Sequence, residues 1–171
     1  GTGGWAWSDA NATTTNNFTI TNGSTTLPSG VLAIGGSWET HGAFIHNSGT
    51  VKFNASATGK TITASTSPFY NLVFDSAFGG WTIQGSATST NATTLAAASS
   101  FTLASGAVLA VGGTFANSVG GGATTWTDST LSLTSGTVYA LNTKSAGSDT
   151  YGTLSIAANT DISMWNSSAA T

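Results

Sequence analysis

Thr58-Gly59-Lys60-Thr61 ends in the Gly-Lys-Thr of a phosphate-binding loop, in which backbone N–H groups cradle phosphates and the lysine reaches their oxygens. Asn54 stands where that motif needs its first glycine, and no helical pattern follows to set a positive N-terminus behind an anion. The segment therefore reads as the start of a strand. Glu39 and His41, two residues apart, share one face of an extended strand and, with His46, make the nearest approach to a metal-ligand set. His46 lies an odd number of residues further on and needs a turn to rejoin them, so the three read as polar outer-face residues, with no metal and no cofactor expected. Glycoside cleavage asks for two carboxylates about 5–10 Å apart. The acids are Asp9, Glu39, Asp75, Asp128, Asp149 and Asp161, widely spaced and best read as solvated turn residues, as in Trp126-Thr127-Asp128-Ser129. There is no Gly-x-Ser-x-Gly elbow and no nucleophile beside either histidine, so the expectation is a chain that is not an enzyme.

Lys52, Lys60 and Lys144 are the whole positive complement. A lysine–asparagine isopeptide bond needs a buried lysine beside an asparagine and a carboxylate, whereas alternation turns Lys52 to solvent between an inward Val51 and Phe53. Asn-x-Ser/Thr sequons at Asn11, Asn17, Asn22, Asn54, Asn91 and Asn166 permit glycosylation. Trp38, Phe44, Phe53, Phe69, Phe74, Trp81, Phe101 and Phe115 offer either a sugar-binding platform or ladders of rings inside a core; their place within alternating runs favours the core.

The elements that must carry these residues are short. Runs such as Asn17-Phe18-Thr19-Ile20-Thr21, Thr50-Val51-Lys52-Phe53-Asn54, Leu72-Val73-Phe74, Trp81-Thr82-Ile83-Gln84, Phe101-Thr102-Leu103 and Leu131-Ser132-Leu133 alternate with period two and are punctuated by Gly, Asn and Ser, which is the strand signal. Leu95 to Ala98 is the best helical candidate and is bracketed too closely to form a stable helix. Ser29-Gly30-Val31-Leu32-Ala33-Ile34-Gly35-Gly36-Ser37-Trp38 returns as Ser105-Gly106-Ala107-Val108-Leu109-Ala110-Val111-Gly112-Gly113-Thr114-Phe115, and the Gly-Gly pair moves by 112 − 35 = 77 residues, a displacement that fits several stacked units. Gly-Thr before an apolar residue recurs at Gly49, Gly136 and Gly152, as though one corner at positive φ were reused to start successive strands. These features predict an all-β chain folded as a β-solenoid, a parallel β-helix of about 7–8 coils at roughly 20–25 residues each and about 35 Å long. A β-sandwich is the alternative. The inward residues are expected to be Ile34, Phe44, Val51, Phe53, Leu72, Phe74, Ile83, Leu103, Val111, Leu133 and Ile156. Residues 1–171 form one segment, with residues 1–28 a divergent first coil or an assembly arm in which Trp5 and Trp7, on one face of a strand, fill a neighbour's groove or their own coil.

Composition narrows the function. Charged residues make up 5% of the 171, with a net charge of −3, so the clustered cations that bind nucleic acid are missing. Ser and Thr supply about a third of the chain and stand in for charge at the surface. No cysteine is present, and the apolar runs are too short for a membrane-spanning helix. Low charge with abundant Thr and Asn suits an extracellular, cell-surface location, and the opening Gly1-Thr2-Gly3-Gly4 suits a processed product or a segment of something longer.

Gly35-Gly36-Ser37-Trp38, His46-Asn47-Ser48-Gly49-Thr50-Val51-Lys52-Phe53-Asn54, Thr58-Gly59-Lys60-Thr61-Ile62-Thr63, Phe69-Tyr70-Asn71-Leu72-Val73-Phe74, Gly79-Gly80-Trp81-Thr82-Ile83-Gln84 and the closing Ala158-Asn159-Thr160-Asp161-Ile162-Ser163-Met164-Trp165-Asn166-Ser167-Ser168 are similar to repeats of very large bacterial cell-surface proteins from uncultivated lineages. That resemblance implies a β-helical stalk or surface fibre and no activity. The expected role is a structural subunit or repeat segment of an extracellular filament, stalk or fibre, assembling with itself end to end through open β-edges. The rival expectations are an adhesin module that binds polysaccharide or another cell surface, then a polysaccharide-processing enzyme.

Overall fold

The computed structural model describes residues 4–135, 139–140, 150–158 and 162–163. In chain order its strands are β1 (Gly4–Ala6), β2 (Ala12–Thr14), β3 (Phe18–Ile20), β4 (Ser24–Thr26), β5 (Val31–Ile34), β6 (Trp38–Thr40), β7 (Ala43–Ile45), β8 (Thr50–Phe53) and β9 (Lys60–Thr63). Then come β10 (Phe69–Ile83), β11 (Ala87–Leu103), β12 (Val108–Val111), β13 (Thr114–Asn117), β14 (Thr124–Leu133), β15 (Tyr139–Ala140), β16 (Tyr151–Ile156) and β17 (Ile162–Ser163). Among the described residues one 3-10 turn, Gly121–Ala123, interrupts them. Every ladder between described strands is parallel, which removes the sandwich and leaves a β-solenoid of about seven turns.

Each coil passes through three walls. The first holds β1, β4 and β7, then the starts of β10 and β11, then β12, the end of β14 and β16. The second stacks β2, β5, β8, residues 71–74 and 92–95, β13, β15 and β17. The third stacks β3, β6, β9 and residues 81–83, 101–103 and 124–125. Between the third and fourth coils the first wall is joined differently. Pro68 has no N–H to give, and the Phe44 N–H donates to the Ser67 hydroxyl at 3.0 Å.

Coil length is not constant. Leu32 pairs with Val51, a step of 51 − 32 = 19 residues, whereas Trp126 pairs with Tyr151, a step of 151 − 126 = 25. The corner between the second and third walls also varies, growing from residues 35–37 to 54–59 and 75–80. The walls keep their register because a corner bulges outward without disturbing the ladder.

Alternation then fills the interior. In the second wall Leu32, Val51 and Leu72 stand in one inward column, with Ile34, Phe53 and Phe74 in the next, all buried. Rings link the coils: Phe53 stacks on Phe74 at 5.2 Å, Phe74 meets Trp81 at 5.5 Å and Phe101 at 5.0 Å, and Phe101 meets Trp126 at 5.3 Å. All eight aromatics assigned to the core are buried, and Trp126 joins them. Ten of the eleven expected inward aliphatic and aromatic positions are buried as well. Ile156 is the exception at 47% exposed, because among the described residues no further coil lies over it. The Leu95–Ala98 stretch lies inside β11.

Two expectations about glycine are corrected. The Gly-Thr corners at Gly49 and Gly152 do not run at positive φ, and Gly136 lies outside the described residues; a Cβ on Gly49 would lie 2.1 Å from the Pro28 carbonyl oxygen, and one on Gly152 would lie 2.4 Å from that of Trp126. Glycine is required there because the coil before passes against it. The 77-residue repeat is also not a return to the same place. Gly35-Gly36 turns from the second wall to the third, whereas Gly112-Gly113 turns from the first to the second, three coils and two walls later. The same packing recurs at both, since a Cβ on Gly36 would come 2.5 Å from Asn17 N and one on Gly113 1.8 Å from the Asn91 carbonyl oxygen.

Phe74→Ala removes a fully buried ring that touches three others and should cost about 3–5 kcal/mol in chemical unfolding. Gly113→Ala should lower the melting temperature well below that of Gly122→Ala, whose Cβ would meet nothing within 4 Å.

Candidate functional site

The fold distributes the chemistry-bearing residues over different coils. Lys60 opens β9 and Ile62 is buried two residues later, so the Gly-Lys-Thr segment is a strand start; Gly59 before it has φ +79. Glu39 and His41 do share a face, with His41 Nε2 2.8 Å from Glu39 Oε1, both more than half exposed. His46 is elsewhere, at the corner after β7. Its Nδ1 accepts the Ser48 N–H at 2.9 Å and its ring packs on Tyr70 at 5.3 Å. Asn47 and Ser48 both have positive φ, and the Gly49 N–H closes the tight turn onto the His46 carbonyl. His46 is thus committed to its own turn, and among the described residues no three His, Cys, Asp or Glu side chains are grouped to hold a metal ion.

The carboxylates are similarly dispersed. Asp9 is exposed beyond β1, Glu39 lies on β6, Asp75 ends the second-wall part of β10, and Asp128 sits where β14 changes register. Asp128, expected as a solvated turn residue, is exposed but lies within a strand run, with φ +55 where the chain rounds the corner from the third wall to the first. Asp149, Asp161 and Lys144 lie outside the described residues. Lys52 points outward between buried Val51 and Phe53, as alternation requires, and its Nζ is 2.6 Å from Asp75 Oδ2. That partner was not read from the sequence. It lies one coil on, displaced from direct register with Lys52, and only the ladder that sets Lys52 beside Val73 reveals it.

The sequon asparagines divide by what their amides do. Asn11 and Asn17 accept backbone N–H groups of the next coil through Oδ1, from Val31 at 2.8 Å and Ser37 at 2.9 Å. Asn91 donates through Nδ2 to Asn71 Oδ1 at 2.7 Å, and Asn71 in turn donates to Thr50 Oγ1 at 3.1 Å. Asn22 and Asn54 are exposed, and Asn166 lies outside the described residues. Asn11, Asn17 and Asn91 therefore tie one coil to another as side chains. The signal for them was the coil spacing itself, since each reaches a residue 20 positions away.

Trp5 and Trp7 face each other with ring centroids 5.6 Å apart. Trp7 is half-buried and its backbone N–H donates to the Thr26 carbonyl, while Trp5 is 58% exposed. Among the described residues, one hollow is lined by Thr13, Thr14, Thr15, Gly35, Asn54 and Ser56 and another by Ala64, Ser65, Thr66, Ser86 and Thr88, and neither lining holds a titratable group.

The chain matches no protein-family model, no curated protein and no solved structure. Function must then be argued from the arrangement alone, which combines a continuous packed interior with polar groups spent on joining coils.

The Lys52–Asp75 pair is 36% and 42% exposed, so screening by water limits its worth. A double-mutant cycle with Lys52→Ala and Asp75→Asn should give a coupling under about 1 kcal/mol at low salt, falling toward zero near 1 M salt.

Proposed function

We propose that this chain is a non-enzymatic structural segment of an extracellular filament, stalk or surface fibre. The observation that supports this reading is that parallel ladders join successive coils over the described length, while the large inward side chains are spent on packing one coil against the next. A rod of this kind transmits load through many in-register backbone hydrogen bonds and needs no pocket. Its surface suits an extracellular setting, because hydroxyls and amides hydrate it where charges are few. Its natural partners are further coils of the same architecture.

A carbohydrate- or surface-binding adhesin module is the second reading, favoured by Phe78, which stands 75% exposed on the outgrown corner between the second and third walls. The outward row of Thr61, Thr82, Thr102 and Thr125 on the third wall adds hydroxyls without an aromatic partner in the same row.

Immunogold electron microscopy of native cells should place the chain along extracellular fibres or stalks. Labelling confined to the cell interior would overturn the proposal, as would turnover of a polysaccharide by the purified chain. Specific binding by its monomer on a glycan array would favour the adhesin instead.

A further inference from the structure

Among the described residues, the inward side chains of the first wall are covered except at its two ends. At one end Trp5 stands in line with Thr25 and Phe44; those two are 1% and 4% exposed, and Trp5 is 58% exposed. At the other, Val111 and Leu133 are fully buried, and Ile156, next in the same register, is 47% exposed. The direction of the side chain is the same along the wall. What differs is whether another coil lies over it.

The backbone is open at the same places. Among the described residues β1 is paired only with β4, β2 only with β5, β3 only with β6, and β16 only with β14. Edge strands are ordinarily guarded by charges, proline or bulges. The sequences Gly-Trp-Ala, Ala-Thr-Thr and Phe-Thr-Ile at one end, and Tyr-Gly-Thr-Leu-Ser-Ile at the other, contain no charge and no proline. Trp7 packs beside Trp5 and is itself tied to Thr26, so the apolar surface at the first end is already built.

We infer that the β1 edge of a second copy of this chain stacks on the β16 edge of the first, head to tail and in parallel register, with Trp5 of the second copy over Ile156. This rests on the structural reading above and names the partner of its open ends. The two edges fit because they are the two sides of one wall: the step from Leu133 to Ile156 is continued by the step to Trp5 of the second copy. Joining like ends instead would reverse the strand direction across the joint and break the parallel ladder that all other coils use. A head-to-tail contact between unlike surfaces does not close on itself, so the product is an open linear polymer.

Sedimentation velocity across a concentration series tests this with the 171-residue chain. The unmodified chain should give a ladder of species that lengthens with concentration, seen as rods by negative-stain electron microscopy. Trp5→Lys and Ile156→Lys should each be monomeric alone, because each lacks one side of every joint. Mixed in equal amounts they should form dimers and stop there, since the first variant keeps a working β16 end and the second a working β1 end. Circular dichroism and melting of each variant establish that it is folded; where lysine disturbs the fold, Trp5→Ser and Ile156→Ser take its place. An unmodified chain that stays monomeric at every concentration would overturn the inference. So would a single variant that still polymerises, or a mixture of folded variants that stays monomeric. A folded monomer whose native form still labels extracellular fibres would overturn this joint alone and leave the structural reading standing.

Discussion

Everything in this molecule depends on one arrangement: each coil satisfies its backbone N–H and C=O groups on the coils before and after it, in parallel register. A buried backbone group without a partner is costly, so the ladders fix where each strand must lie. Corners are then free to vary only outward, as at residues 54–59 and 75–80. Where the backbone of one coil passes close against the next, no Cβ fits, and Gly36, Gly49, Gly113 and Gly152 follow. Alternation turns every second side chain inward, and those chains meet their equivalents one coil away. Phe53 over Phe74 and Leu109 over Leu131 are consequences of backbone pairing as much as of hydrophobicity.

The same constraint explains which polar groups matter. With so few charges, the chain relies on amides and hydroxyls that act across coils: the Ser37 N–H donates to Asn17 Oδ1, and the Thr61 N–H donates to Ser37 Oγ at 3.0 Å. Such bonds fill in where a strand ends and the ladder would lapse. Inside, Ser89 and Thr93 satisfy one another at 2.6 Å between their hydroxyl oxygens, whereas the Thr40 hydroxyl and the indole N–H groups of Trp38, Trp81 and Trp126 are buried without a hydrogen-bond partner.

The solenoid and its interior were legible in the sequence because period-two alternation is local: Val51, Lys52 and Phe53 declare their directions without reference to any other coil. Exposure at the ends was not legible, since Ile156 obeys the same alternation as Leu133 and differs only in lacking a coil above it. The Gly-Gly repeat was visible but its meaning was not. Three similar walls accept one motif at more than one corner, so the sequence distance of 77 residues does not say which corner is meant. The candidate site residues were legible only in pairs close along the chain. Glu39 and His41 meet as expected, whereas Lys52 and Asp75 meet through a register that a corner of variable length conceals.

The near-equivalence of the three walls bears on how such a rod can change its size. Since the turn at Gly35-Gly36 and the turn at Gly112-Gly113 are interchangeable in form, the smallest unit that can be gained or lost is one wall with its corner, about a third of a coil. A gene segment encoding a single wall, duplicated in place, would rotate everything downstream by one side of the triangle and still leave strands stacked on strands. Length in this architecture can therefore be adjusted in steps finer than its own helical repeat, and two rods of unequal length can present the same surface residue on different sides.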